Sequence, residues 1–394
     1  MGKMSKKGNK DLFEIVDKLK ELLKVDAVHD IYDRMKEMIF SENLRETLKD
    51  YAEIIKQDPE IDWIQKMFLF SGADSAGMGQ DYTPESLAKI MAEIADYDGA
   101  ETVLDVCCGT GALTIQLHKK HPGLKFTMLE ADSQVITLLL FNLALHNIRV
   151  DVIQMDIITQ EIYARYHVEP GNEFGTVTQE NIDNYKLPEL YDIVIANPPF
   201  NMKIQPYKSE LLKKKCRDGN VLFSEFCISH LKTDGRGGII QMSSAMNKDN
   251  DMQNFREFLI KENRLAGCLA MPKNLFDSTT VETCLFCLGQ AERPVLVDCK
   301  EKKEQNGRKY YFTDAQIKEI SGIVHERKET SEKMDGEYFA VIPECDDMEK
   351  KNFDYSAVNY MKIDLIPTEE DFKNVISDYL TWKIMSTMKR NMSC

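Results

Sequence analysis

Long apolar runs are missing from these 394 residues. No stretch approaches the roughly 18–20 consecutive apolar residues needed to span a bilayer, so no membrane segment is expected. The opening MGKMSKKGNK has no apolar signal core, which points to a chain that stays in the cytoplasm. Positive charge is also short: 50 Lys and Arg face 65 Asp and Glu, a net charge of −15. A protein that held nucleic acid alone would carry a basic excess, so any phosphate contacts must be local or come from a partner. The ten cysteines are scattered rather than spaced as a disulfide framework. The one C-x-x-C, Cys284 and Cys287, lies in the apolar run VETCLFCLG. Residues three apart on a strand face opposite sides, so these read as buried thiols and no metal site is expected.

What is present is the composition of a soluble globular chain, 43% hydrophobic and 29% charged, long enough for two or three domains. Leu12, Ile15, Val16, Leu19, Leu22 and Leu23 share one helical face, and Ile31, Met35, Met38 and Ile39 repeat the spacing. They predict a helical N-terminal domain over 1–75, with the glycine-containing SGADSAGMGQ at its end. Seven short apolar runs then alternate with helical periods: 102–107, 125–130, 150–155, 191–196, 237–243, 264–270 and 282–288. This predicts an α/β fold, a doubly wound and mostly parallel seven-stranded sheet, in a domain over 76–295. Residues 133–145 form its most apolar helix; 169–189 are polar and loop-like; 300–335 look solvated. A C-terminal extension over 296–394 ends in a helix after Pro367, with Thr368 as N-cap and an apolar stripe from Phe372 to Met388.

The chemistry gathers at predicted strand ends. In YDIVIANPPF a buried strand stops at Pro198 and Pro199, which cannot continue a ladder. Asn197 and the Pro198 carbonyl are then two acceptors at the ligand-binding carboxyl edge of the sheet, suited to a substrate NH2 group. Phe200 adds a flat face for stacking. The plainer alternative is a strand-ending turn with a packed Phe. The first strand runs into LDVCCGTGAL, where Asp105, Gly109, Thr110 and Gly111 precede a helix. Position 114 is Thr, so this is not a dinucleotide G-x-G-x-x-G. It suits a ligand bearing an amino group as well as a carboxylate. Glu130, 19 residues after Gly111, is placed to accept two ribose hydroxyls. Met155 and Asp156 end the third strand and suit a purine ring and its amino group. Together they predict a nucleoside cofactor.

These motifs resemble those of S-adenosylmethionine-dependent amino methyltransferases, with the Rossmann-like sheet of that group. GQDYTPESLAKIMAEI, from Gly79, resembles the extra cofactor motif of DNA adenine methyltransferases, which brings Tyr82, Thr83 and Pro84 to the cofactor site. MPKNLFDSTTVETCLFCLG (271–289) and KKNFDYSAVNY (350–360) resemble the modification subunit of type I restriction-modification systems. The resemblance implies transfer of a methyl group from S-adenosyl-L-methionine to N6 of an adenine flipped out of double-stranded DNA. It also implies a separate specificity subunit and a second copy of the chain as partners, with the last helix as a contact. Phe276, Thr279 and Thr280 resemble the family's loop near the target base, although packing explains Phe276 equally well. The basic stretch 203–217 reads as a solvated loop or a phosphate contact. Protein-glutamine and RNA amino methyltransferases share N-P-P-aromatic and remain the alternative enzymes; a non-catalytic assembly subunit is the third reading.

Overall fold

In a computed structural model, the structure describes residues 6–55, 63–64, 66–67, 83–276, 280–307, 309–330 and 339–360. Three amphipathic helices come first: α1 (Lys6–Leu23), α2 (Val28–Ile39) and α3 (Leu44–Ile55). Next are α4 (Glu85–Ala95), β1 (Thr102–Val106), α5 (Ala112–Lys120), β2 (Lys125–Glu130), α6 (Ser133–Leu145) and β3 (Val150–Asp156). β4 (Glu161–Glu169) and β5 (Thr176–Glu180) precede β6 (Tyr191–Ala196), β7 (Lys203–Ser209), β8 (Lys214–Asp218), α7 (Gly219–His230) and β9 (Leu231–Met242). After α8 (Asp251–Lys261) come β10 (Leu265–Ala270), β11 (Thr283–Leu288), β12 (Val295–Asp298) and a hairpin, β13 (Glu304–Asn306) with β14 (Lys309–Tyr311). α9 (Asp314–Glu326), β15 (Phe339–Val341) and α10 (Cys345–Lys350) follow.

One sheet organises these elements, in the order β15-β12-β10-β11-β9-β6-β1-β2-β3-β4-β5. The centre is parallel: β1 pairs with both β2 and β6, β2 with β3, and β6 with β9. β11 runs antiparallel between β9 and β10. All six residues of β6 are buried, as a strand covered on both faces requires. α6 buries ten of its residues, and α2 and α3 pack onto it, with Tyr51 edge-on to Phe141 at 5.3 Å. No described helix is long and apolar enough to cross a membrane.

Each of the seven expected strand positions holds a strand, and the sheet is larger than expected. β5 falls inside the stretch read as a loop, and it is an edge strand that buries only Val177. β4 is held by polar cross-strand pairs, such as His167 opposite Asp151 at 2.9 Å, rather than by an apolar run. The stretch read as solvated contains α9, which buries Ile317, Ile320, Ile323 and Val324 and packs on α4. Its start is capped by Thr313 and Gln316. The helix expected after Pro367 lies outside the described residues.

The C-terminal segment is fastened from below. Arg256 is fully buried and donates to the carbonyls of Phe353 (2.7 Å), Lys248 (2.8 Å) and Ala245 (2.9 Å). Tyr355 Oη returns a bond to the Arg256 carbonyl at 2.7 Å.

Candidate active site

The carboxyl ends of β1, β2, β3 and β6 open into one cleft, with about 860 Å³ of open space including its mouth. Its floor is the turn after β1. Cys107, Gly109 and Gly111 there have φ of 57°, 56° and 94°. Glycine takes this left-handed region freely, whereas Cys107 does so at about 1–2 kcal/mol. A Cβ at Gly111 would also sit 3.0 Å from Leu139 Cδ1, a tight contact to which the leucine side chain would have to yield. Asn142, the one buried amide of the apolar α6, donates to the Thr110 carbonyl at 3.1 Å and holds the turn down.

Asp105 lies beneath this turn, fully buried. Thr114 Oγ1 donates to its Oδ2 at 2.7 Å, while Oδ1 has no hydrogen-bond partner among the described residues. Burial pushes the carboxyl up to about 7; hydrogen bonds from Thr114 oppose this and the negative Glu130 adds to it. An unpartnered buried carboxylate oxygen is costly, and a cationic amino group is the partner that would satisfy it. The D-x-x-x-G-x-G turn therefore fits a ligand of the kind its sequence predicts.

Glu130, at the end of β2, takes three backbone N–H groups. Oε2 accepts from Gly109 (3.0 Å), and Oε1 accepts from Ala131 (2.9 Å) and Asp132 (3.0 Å). Burial raises its pKa, and these three bonds oppose the rise. The chain turns immediately after β2, which brings the N–H groups to the carboxylate. Oε2 keeps capacity for one further donor without rearrangement, where the sequence reading placed two hydroxyls. Met155 is buried, and Asp156 Oδ1 accepts from Ile158 N at 2.7 Å.

Asn197 is held from across the cleft. Its Nδ2 donates to Thr83 Oγ1 at 2.9 Å, so the turn before α4 sets the rotation of the carboxamide. Thr83 is buried and Pro84 is the N-cap of α4. Phe200 is half-buried and packs edge-on to buried Phe276, at 5.8 Å and 79°.

Of the residues singled out from sequence, Thr83, Gly109, Thr110, Glu130, Met155, Asp156, Asn197 and Pro199 line the cleft. Asp105, Gly111, Pro84, Pro198 and Phe200 are not among its lining residues. Tyr82 and Thr279 lie outside the described residues. Sequence reasoning did not single out Thr114, Asn142, Asp132 or Phe223. Asn142 had a signal, an amide in the middle of the apolar run VITLLLFNLAL; Phe223 had none beyond being aromatic. Leu129, Met155, Ile157 and Phe223 give the cleft apolar walls for a flat ring.

Known proteins resemble this chain in sequence and fold. Residues 63–369, more than half of the chain, match the family model described as N-6 DNA Methylase. The methylase subunit of the type I restriction enzyme MpnII from Mycoplasma pneumoniae is 22% identical over 328 residues, covering 76% of this chain and 56% of that one. The MjaIX methylase subunit from Methanocaldococcus jannaschii is 23% identical, covering 91% of this chain and 68% of that one. The chain thus spans about half to two thirds of the length of the curated relatives it matches. A type I restriction-modification methyltransferase subunit from Streptococcus thermophilus shares the fold, with a TM-score of 0.64 at 16% identity over 89% of this chain and 80% of that one. The chain belongs to the N-6 DNA Methylase family.

Proposed function

We propose that this chain is a DNA adenine-N6 methyltransferase that uses S-adenosyl-L-methionine and works in the cytoplasm as the modification subunit of a type I restriction-modification system. The observation that carries the reading is the Thr83–Asn197 hydrogen bond, which sets the amide of N-P-P-F in the lining of the same cleft as Gly109 and Glu130. When bound, the cofactor supplies an electrophilic methyl group. Asp105 would hold its amino group, Glu130 a ribose hydroxyl, and Met155 with Asp156 its adenine.

The chain's own contribution is orientation and electrostatics. An exocyclic adenine amine shares its lone pair with the ring and is a poor nucleophile. Accepting its two hydrogens at Asn197 Oδ1 and the Pro198 carbonyl favours the pyramidal form, in which the lone pair is available. Thr83 occupies the NH2 end of Asn197, which leaves the oxygen as the end offered to substrate. Phe200, its ring plane set by Phe276, would stack on the flipped base, worth ~1–3 kcal/mol.

Tritium transfer from labelled cofactor to DNA, RNA and protein, assayed side by side, tests the reaction. Label in adenine of DNA is expected. Label in protein glutamine or RNA instead would favour the alternative amino methyltransferases, and no turnover with any substrate or partner would leave an assembly subunit. The net charge of −15 supports a second element of the reading, that a separate specificity subunit supplies recognition, with a second copy of this chain as a further partner. Site-specific methylation by the purified chain should be weak and restored by that partner.

A further inference from the structure

The basic stretch between the N-P-P-F motif and α7 is a two-stranded antiparallel ribbon, β7 with β8. Residues 203–217 hold six basic side chains against one acid, in a chain whose net charge is −15. The ribbon has two faces. Ser209 and Cys216 are fully buried on the inner one, where Tyr207 Oη donates to Glu225 Oε2 at 3.3 Å. Glu225 Oε1 also accepts from Glu210 N (2.7 Å) and Leu211 N (3.0 Å), so a buried carboxylate on α7 pins the tip of the ribbon. Lys214 is neutralised on that side by Asp251 at 3.1 Å.

The outer face carries Lys208, Lys215 and Arg217, all exposed. Lys208 stands directly opposite Lys215 in the register. Like charges facing across a strand pair are destabilising, so nothing in the ribbon's own stability accounts for this arrangement. Among the described residues, Lys215 and Arg217 have no acidic partner. Lys208 lies 3.3 Å from Glu210, an exposed pair of little energetic weight. Alternate residues on a strand are ~7 Å apart. That is the axial distance of about two phosphate steps along one DNA strand.

The base of the ribbon is part of the cleft. Met202, just before β7, lines it, and so does Phe223 on α7. The two ends are clasped: Asn201 N donates to Asn220 Oδ1 at 3.3 Å, and a Cβ at Gly219 would lie 2.5 Å from the Met202 carbonyl oxygen. We propose that Lys208, Lys215 and Arg217 form a contact surface for DNA phosphates beside the target base. This rests on the reading of the cleft as a DNA methyltransferase site and adds where the strand is held.

The test is fluorescence anisotropy of a labelled duplex with the full chain and a K208A/K215A/R217A variant, across a range of salt concentrations. Each phosphate contact contributes about −0.9 to the slope of log K against log salt, so the variant's slope should be shallower by ~2–3. Its affinity at low salt should fall at least about 10-fold. Calorimetric cofactor affinity should not change, which controls for folding, and K215E/R217E should bind DNA more weakly still. An unchanged slope and affinity would overturn the proposal, as would a wild-type chain with no salt-dependent DNA binding or one that binds duplex RNA better through these residues. If the wild type binds DNA through the ribbon but methylates none even with its partner present, the surface stands and the methyltransferase reading falls. If methylation proceeds and the variant binds normally, the reverse holds.

Discussion

Two aspartates on neighbouring strands sit at opposite edges of the sheet, and their surroundings differ in kind. Asp192, at the amino edge of β6, accepts from Lys232 Nζ (2.6 Å), Thr102 Oγ1 (2.7 Å), Thr102 N (3.0 Å) and Glu101 N (3.3 Å). Burial opposes its charge, but Lys232, Thr102 and Glu101 outweigh burial and hold the carboxyl down at about 2. Asp105, at the carboxyl edge of β1, has the Thr114 hydroxyl and an unpartnered oxygen, and burial pushes it up to about 7. Polar groups inside proteins are normally satisfied. The amino edge obeys that rule and ties β1 to β6, while the carboxyl edge keeps acceptor capacity in reserve. Such an asymmetry is what a ligand site at the carboxyl edge requires.

The contrast should be greatest at Asn197, whose amide faces chemistry rather than cofactor. Asn197→Ala is expected to lower the methyl-transfer rate about 10²–10³-fold, by analogy with removing one aligned polar group from a reacting centre. Cofactor affinity should stay within about 2-fold, because the loss falls on the transition state alone. Single-turnover kinetics with calorimetry separates the two, and normal-rate methylation by this variant would dismiss the proposed role.

The aspartate pair itself can be broken next. Asp105→Asn should weaken cofactor binding by about 1.5–3 kcal/mol, or ~10–150-fold, through loss of a charge-assisted bond. Asp192→Asn should leave that affinity alone and lower stability to urea by about 1.5–3 kcal/mol, since the carboxylate charge and the oxygen that accepts from Lys232 are lost while one amide oxygen remains for Thr102 and Glu101. Equal effects of the two changes on affinity would erase the distinction between the edges.

How much of this was legible in the sequence follows the same line. The parallel centre was readable because strands covered on both faces must be continuous apolar runs, as in Tyr191–Ala196. The strand-end acids were readable because position relative to those runs locates the edge. β4, β5 and the β7–β8 ribbon were not, since they are held by charged or polar cross-strand pairs and bury one face at most. The partners of a named side chain were hidden too. Nothing local to Glu130 shows that the turn after β2 delivers two N–H groups to one of its oxygens. Nor does local sequence join Thr83 to Asn197, 114 positions apart.

The last contrast is in protons, and it distinguishes the aspartates by sign. Asp105 has its pKa raised from the ordinary 3.8 to about 7 on folding. Between those values the unfolded chain has lost the proton that the folded chain retains. Its contribution to stability therefore falls as pH rises, by at most about 1.4 kcal/mol per pH unit. The penalty is absent below 3.8 and constant above about 7. Asp192 acts oppositely: its contribution is complete above 3.8 and is lost as pH falls toward about 2. Asp105→Asn should flatten the stability curve between pH 4 and 7, and Asp192→Asn should leave that part unchanged. A cationic amino group brought to Asp105 Oδ1 would draw its pKa down. Binding of S-adenosyl-L-methionine near pH 7 should then release about half a proton from a group poised there. Calorimetry in buffers of different ionisation enthalpy reads this number directly, and Asp105→Asn should abolish it. A binding enthalpy independent of buffer in the wild-type chain would mean that Asp105 does not meet the cation, and the cofactor's amino group would have to be sought elsewhere along the cleft.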